Sequence, residues 1–411
     1  MTDLTHLDVG GYREEMPAEV RLHWGLDPAV TFLNHGSFGA CPKPVRRRQA
    51  SLRREMEREP VAFLYRHYEA RLDAARAAAA AFVGSDPADF VFVPNTTAGI
   101  NAVLRSRRFA PGDELLTTDH EYNACRNVLD YVAARDGAGV TAASVPFPVT
   151  GSDALRTAIL ERVSPRTRLV LVDHITSPTA MVFPVAELAR ELAGRGIDLL
   201  VDGAHAPGML PLDVAALGAA YYTGNFHKWV CAPKGAAFLW VRRDRQAEIR
   251  PLAVSHGMNS RRTDRSRFQL EFDWTGTFDP TPGLCVPAAI AFMGSLLPGG
   301  WPALMSRNHR LAVAARQLLC ESLGIPAPCP EELLGSMAAL PLPDGAPDDL
   351  QPPLFMDPLQ DALWFRHRIE VPIMPWPAPP RRVLRVSAQA YNTLDEYARL
   401  AAALQQERFR S

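Results

Sequence analysis

The chain has 411 residues and 44 lysines and arginines, yet only Lys43, Lys228 and Lys234 are lysine. A guanidinium keeps its proton near neutral pH and cannot attack a carbonyl carbon. A primary amine can, once its surroundings lower its pKa. A lysine kept in so arginine-rich a chain is therefore a candidate for work that only an amine can do. Lys43 lies between two prolines and Lys234 in the turn Ala232–Gly235, and neither asks for more than a structural role. The neighbours of Lys228 ask for more. Upstream, the apolar run Leu199–Val201 ends in Asp202, Gly203, Ala204 and His205. A buried parallel strand delivers a carboxylate to the mouth of a sheet in this way. A second strand-like run, Ala219–Gly224, leads to Asn225, His227 and Lys228.

An acid at one strand end and an amine beyond the next suit one cofactor, pyridoxal 5′-phosphate (PLP). Its aldehyde takes the amine as a Schiff base. Its ring nitrogen needs a carboxylate to stay protonated, because the protonated ring is the electron sink. Alone, Asp202 reads as a turn or cap residue; the pair says more than either member.

Further candidates fall on the loops. Asn34–Gly39 places two glycines around a serine and a phenylalanine, which reads as a structural turn or as a loop lying over an active site. Asn95, Thr96 and Thr97 open a helix after the strand Phe90–Val93. They serve as ordinary caps or, beside a PLP candidate, hold the phosphate with free N–H groups and hydroxyls. His120 and Tyr122, after the strand Glu114–Thr118, each offer a ring to stack on the cofactor. Gly276 and Thr277 form a weaker anion candidate. Arg385 lies inside the apolar strand Val383–Ser387, where its charge needs an anion. That anion is a structural acid or a substrate carboxylate.

These residues must be positioned by a fold in which strands and helices alternate from Phe90 to Val241. Such alternation predicts an α/β large domain, a mostly parallel sheet between helices, with polar residues at the carboxyl ends of strands. Helix is expected over Arg46–Val83, broken near Pro60, and strand over Val140–Phe147. We expect a loosely packed arm over 1–30, the large domain over 31–299, and a small α+β domain over 300–411. The basic stretch Ser260–Arg267 reads as an exposed loop with no assigned function. A net charge of −1 gives no reason to expect nucleic acid or an anionic membrane as partner. Nor does any stretch approach the length of an apolar membrane helix, and the N-terminus has no signal-peptide core. Six scattered cysteines without a CxxC pair suggest reduced thiols in a cytoplasmic protein, and no spacing predicts a metal site.

In order, the motifs NTTAGIN, DHEYNA, DHITSPT, VDGAHAPG, TGNFHKW, DWTGTFDP and RVSAQAYNT resemble those of the class V aminotransferase family of fold-type I PLP enzymes. The LNHGSFG start and the GN-x-HKW lysine motif resemble its isopenicillin N epimerase-like branch, and the likeness spans residues 31–411. It implies Lys228 as the Schiff-base lysine, Asp202 as the partner of the ring nitrogen and His120 as the stacking ring, with Tyr122 second. It implies Ser177 and His205 beside the cofactor's phenolic oxygen. Thr96, Thr97, Asn225 and His227 would hold the phosphate, and Gly276 and Thr277 would reach the neighbouring subunit's phosphate in a homodimer with shared sites. Arg385 would bind the α-carboxylate of an amino-acid substrate. Related cysteine desulfurases carry a cysteine shortly before this arginine, but Val371–Arg382 here reads VPIMPWPAPPRR and contains none. The implied activity is amino-acid epimerisation. The alternatives are β-elimination by a C–S lyase or cysteine desulfhydrase, transamination, or PLP binding without turnover.

Overall fold

The apolar runs of the large domain close into one sheet. A computed structural model describes residues 12–13, 16–345 and 356–408. Its strands are β1 (Thr31–Phe32), β2 (Phe90–Val93), β3 (Glu114–Thr118), β4 (Gly139–Ala143), β5 (Thr167–Asp173), β6 (Asp198–Gly203), β7 (Tyr221–Asn225), β8 (Ala237–Val241), β9 (Met337–Leu342), β10 (Ile369–Glu370), β11 (Ile373–Pro375) and β12 (Arg382–Ser387). Seven form the main sheet in the order β2-β8-β7-β6-β5-β3-β4. All its pairings are parallel except those of β8, which runs antiparallel to β2 and β7. β6, β7 and β8 are buried along their whole length, which is why they read as unbroken apolar runs rather than alternating ones. β4 stops at Ala143, short of the expected Phe147.

The chain passes from β3 outward to β4, then returns on the other side of β3 to lay down β5, β6 and β7. At this reversal the carboxyl ends of neighbouring strands part, and a crevice opens. β11, β12 and β9 form a separate antiparallel sheet, against which the helix Gly300–Leu323 packs. β1 pairs in parallel with β10, so the start of the large domain is stitched to the last part of the chain.

Two expectations need adjusting. The expected helix over 46–83 is Lys43–Arg58, then π-helical turns at Ala62–His67 running directly into Tyr68–Phe82. The segment 16–30 is packed rather than loose. Met16, Val20 and Trp24 are buried against Met293, Leu297 and Tyr391, and Trp24 Nε1 donates to the Ala40 carbonyl at 3.0 Å. Residues 1–11 of the expected arm lie outside the described residues.

Candidate active site

β5, β6 and β7 bring Asp173, Asp202 and Thr223 into register at one end of the sheet, and the turn after β7 carries Lys228. Lys228 is half-buried. Burial, then the charge of Arg385, lowers its pKa to about 8. His205 Nε2 lies 3.1 Å from Lys228 Nζ, and Trp229 Nε1–H points at His205 Nδ1 at 3.4 Å. With Nδ1 accepting, Nε2 carries the ring proton and faces the lone pair of a neutral amine. Burial and the lysine charge hold His205 well below the ordinary histidine range, so it adds no cation beside the amine.

A second histidine fixes the lysine's backbone. His35 Nε2 donates to the Lys228 carbonyl at 3.0 Å, and Tyr391 O–H donates to His35 Nδ1 at 2.7 Å. Burial lowers His35 to about 3, so the ring stays neutral. The stretch Asn34–Gly39, whose residues His35–Phe38 form a single helical turn rather than the expected loop, thus lies on the lysine turn. Its glycines are there for clearance. A Cβ on Gly36 would come within 2.6 Å of Met337 Sδ and 3.4 Å of Arg385 Nη2. At Gly39, φ is +69°, and a Cβ would lie 2.1 Å from the His227 carbonyl oxygen and 3.0 Å from Lys228 Cα. Gly39→Ala is expected to push the lysine turn aside and cut turnover by roughly 10²-fold, the usual cost of misplacing a reacting group by about 1 Å. Steady-state kinetics check this; an unchanged kcat would show that the turn tolerates the shift.

Asp202 is buried at the end of β6. Its Oδ1 accepts from Ala204 N–H at 2.9 Å and its Oδ2 from the Cys125 thiol at 3.2 Å. Polar atoms of Glu121, Cys125 and Asp202 lie within 4.8 Å of one another. Burial and the neighbouring acids push the Cys125 thiol well above its ordinary value, so it is a neutral donor rather than a metal-binding thiolate. Burial, then Asp202, pushes Glu121 up to about 8. Its carboxyl therefore stays mostly protonated at neutral pH, consistent with how poorly adjacent buried carboxylates ionise together.

Thr96 opens the helix Thr96–Ser106 beside β7. Its backbone N–H donates to Asn225 Oδ1 at 3.0 Å, while Asn95 caps the helix through Ala98 N–H at 2.8 Å. Thr96 Oγ1 is buried without a partner, a hydroxyl left for an outside acceptor at a helix N-terminus. Thr97 is half-buried next to it. His227 donates through Nδ1 to the Ala236 carbonyl at 3.1 Å.

Arg385 enters from β12 and is buried, with 1% of its surface exposed. Its Nη1 donates to the Ser177 carbonyl at 2.6 Å and to Ser177 Oγ at 3.2 Å, and its Nη2 to Ser37 Oγ at 3.0 Å. Its Nε has no partner, and among the described residues it forms no ion pair. The structural-acid reading therefore finds no acid, and a buried cation with a free donor is what a carboxylate-binding site requires.

His120 and Tyr122 part company. Both His120 ring nitrogens are occupied, Nδ1 by Thr179 Oγ1 at 2.6 Å and Nε2 by the Val145 carbonyl at 3.0 Å. Its ring packs on Trp376 at 4.4 Å between centroids. Tyr122 is 47% exposed, and its phenol lies in the fields of both Asp202 and Arg385. Gly276 and Thr277 sit on a surface loop, Thr277 exposed.

The groups on this chain fit PLP and an amino acid: a half-buried amine, a strand-end carboxylate, an orphaned hydroxyl at a helix start and a guanidinium without an acid partner among the described residues. The sequence profile of the aminotransferase class-V family matches residues 58–356. The chain belongs to that family. Its cofactor is PLP, and it is an enzyme. It is 36% identical to the isopenicillin N epimerase of Streptomyces clavuligerus over 94% of this chain and 97% of that protein. It is 28% identical to an L-cysteine desulfhydrase of Arabidopsis thaliana over 91% of this chain and 87% of that protein. A cysteine desulfurase from Escherichia coli shares the fold with a TM-score of 0.75 at 20% identity, covering 96% of this chain and 98% of that one.

His35, Ser37, Glu121, Cys125 and Thr179 were not singled out as site residues by sequence reasoning. The HGSF stretch was the one signal that led toward His35 and Ser37. Glu121 lay within the DHEYNA motif without a role, and Cys125 gave no signal, because their meaning comes from Asp202 across the fold.

Proposed function

We propose that this chain is an epimerase acting at the α-carbon of an amino-acid substrate. What carries this reading is whole-length similarity, 36% identity covering 97% of a protein named isopenicillin N epimerase. Bound PLP supplies an electron sink for the charge left at the α-carbon. Lys228 holds the cofactor and, once free, removes the α-proton, with His205 favouring its neutral amine, and a second acid on the opposite face returns a proton to the α-carbon. Asp202 keeps the ring nitrogen protonated, oriented by Ala204 N–H and the Cys125 thiol. Thr96, Thr97, Asn225 and His227 hold the phosphate at the helix start. Ser177 and His205 flank the phenolic oxygen, and Arg385 takes the α-carboxylate. For the stacking ring we assign His120 ahead of Tyr122, because the in-plane bonds of its nitrogens to Thr179 Oγ1 and the Val145 carbonyl fix the ring's orientation without using its faces.

A second reading, β-elimination, has its own support in the L-cysteine desulfhydrase relative. Elimination needs no protein cysteine, so the cysteine-free stretch Val371–Arg382 does not count against it. The test is incubation with L-amino acids and cysteine conjugates in deuterated water. Deuterium at the α-carbon with both enantiomers present supports epimerisation. Pyruvate with released thiol or sulfide makes the protein a lyase and overturns the first reading, as does a keto acid that forms only with an added amino acceptor.

The homodimer with shared sites is part of the proposal. Val61, Tyr65, Leu252 and Phe278 are exposed by 62%, 87%, 49% and 44%, around the helix Tyr68–Phe82 and the loop before Pro280. Exposed apolar side chains here support the dimer reading, since such surface is common at interfaces. Among the described residues no helix is long and apolar enough to cross a membrane. We place the enzyme in the cytoplasm because its six cysteines are all free thiols.

A further inference from the structure

The basic stretch Ser260–Arg267 takes no part in the site above, yet two of its four arginines, Arg262 and Arg265, converge on one helix. Arg262 grips Glu69 through both terminal nitrogens at 2.6 and 2.9 Å. Arg265 donates to Asp73 at 2.8 Å, lies 3.1 Å from Glu69, and stands 3.7 Å from Asp273. Arg76, only 2% exposed, closes the row, donating to Asp273 Oδ2 at 2.7 Å and to the Phe90 carbonyl at 3.2 Å. Tyr68 O–H donates to the Asp273 carbonyl at 3.1 Å. Asp273 is thus held by side chain and backbone to the helix Tyr68–Phe82. Just beyond it, Trp274 and Phe278 pack on the Tyr68 ring at 6.2 and 6.4 Å. Between those two rings lie Gly276, at φ +125° with open space where a Cβ would be, and exposed Thr277.

We infer that this charged row is the mount of the loop 274–278, and that Arg76, Arg265 and Asp273 are positioning residues for the partner subunit's phosphate site. The inference rests on the shared-site homodimer proposed above. A tip that must arrive in another subunit has to be ordered before it gets there, because ordering on arrival weakens binding. Exposed ion pairs contribute little by themselves. The buried Arg76 is different, since removing Asp273 leaves its charge without a full partner. Arg265 ties the basic stretch to Asp73 on the same helix through a planar fork that lysine cannot reproduce, with one nitrogen 3.7 Å from Asp273.

The test uses PLP-loaded dimers of Asp273→Asn and Arg265→Ala, with Arg265→Lys as the conservative variant. Cofactor retained after gel filtration, read by absorbance, is expected to fall roughly tenfold or more in the first two and less in the third. Retention equal to the parent's in both would overturn the inference. Mixing then separates a mount from a local fold defect. Asp273→Asn chains reassorted with Lys228→Ala chains give heterodimers in which one site joins an intact lysine to an intact loop. Random pairing is expected to restore roughly a quarter of the parent's functional sites. No restoration means that the row serves only its own subunit, and the inference falls. Arg265→Ala carries the same mixing test should Asp273→Asn fail to fold. Thr277→Ala mixed with Lys228→Ala is the control. If that pair restores sites and the Asp273→Asn pair does not, the shared site stands and the mount falls. A monomer by light scattering removes the shared site itself, and the inference with it.

Discussion

Lys228→Ala is expected to lower turnover by at least about 10²–10⁴-fold, the range for removing a positioned acid–base group, before the loss of the cofactor linkage is added. The variant should also lack the absorption band of lysine-linked PLP and release the cofactor on gel filtration. Full turnover in it would sink the proposed chemistry. The pH dependence follows from the same residue. The attacking form is the neutral amine, and burial with Arg385 nearby brings its pKa to about 8. Below that value most lysines carry a proton and cannot attack. As the pH rises through about 8 the neutral fraction grows, so the rate at which apo-protein takes up PLP should rise and level off above it. An unperturbed lysine would still be gaining rate near pH 10. The direction can also be tested through its second cause. Arg385→Leu removes the neighbouring positive charge, so the midpoint of uptake should move upward. A midpoint unmoved in that variant would mean that burial alone sets the amine.

The parts of this site that could be read from the sequence are those written locally. Asp202 and Lys228 stand at the ends of short apolar runs, and buried parallel strands have no other way to look. Arg385 was visible because a charge inside an apolar strand is costly whatever surrounds it. What the sequence could not show were pairings across the fold. His35 reaches the Lys228 carbonyl from 193 residues away, and Cys125 reaches Asp202 from 77. Neither residue type announces such a contact. The choice between His120 and Tyr122 was hidden for another reason. They share one loop, and the orientation of the histidine is set by Thr179, Val145 and Trp376, all distant from it in sequence. Trp376 also shows why the proline-rich stretch before Arg382 gave no conformation. Its Nε1–H donates to the Asp119 carbonyl at 3.1 Å, so that segment is placed by the large domain rather than by its own prolines.

Arg385→Leu separates substrate recognition from folding. The guanidinium is buried, and burial lowers it to about 10, toward the neutral form. It has three contacts to two serines but no acid, so much of the cost of burying its charge is left uncompensated in the free protein. Leucine removes that cost and leaves the Ser177 carbonyl without a donor, a loss of about 1–3 kcal/mol. The two terms oppose each other, and the melting temperature is expected to stay within about 5 °C of the parent. Substrate binding has no such offset. Losing a charge-assisted grip on a carboxylate in a desolvated site costs about 2–5 kcal/mol, which should raise KM for the amino acid by roughly 30-fold to several thousand-fold. Arg385→Lys should recover only part of this, because an ammonium lacks the planar fork. PLP uptake at saturation should be retained in both variants, since the cofactor is held by Lys228, Asp202 and the helix start. An unchanged KM in Arg385→Leu would remove the carboxylate role. A collapsed melting temperature would instead make Arg385 a structural residue whose three contacts, to Ser37 Oγ and to the Ser177 carbonyl and hydroxyl, hold the two domains together.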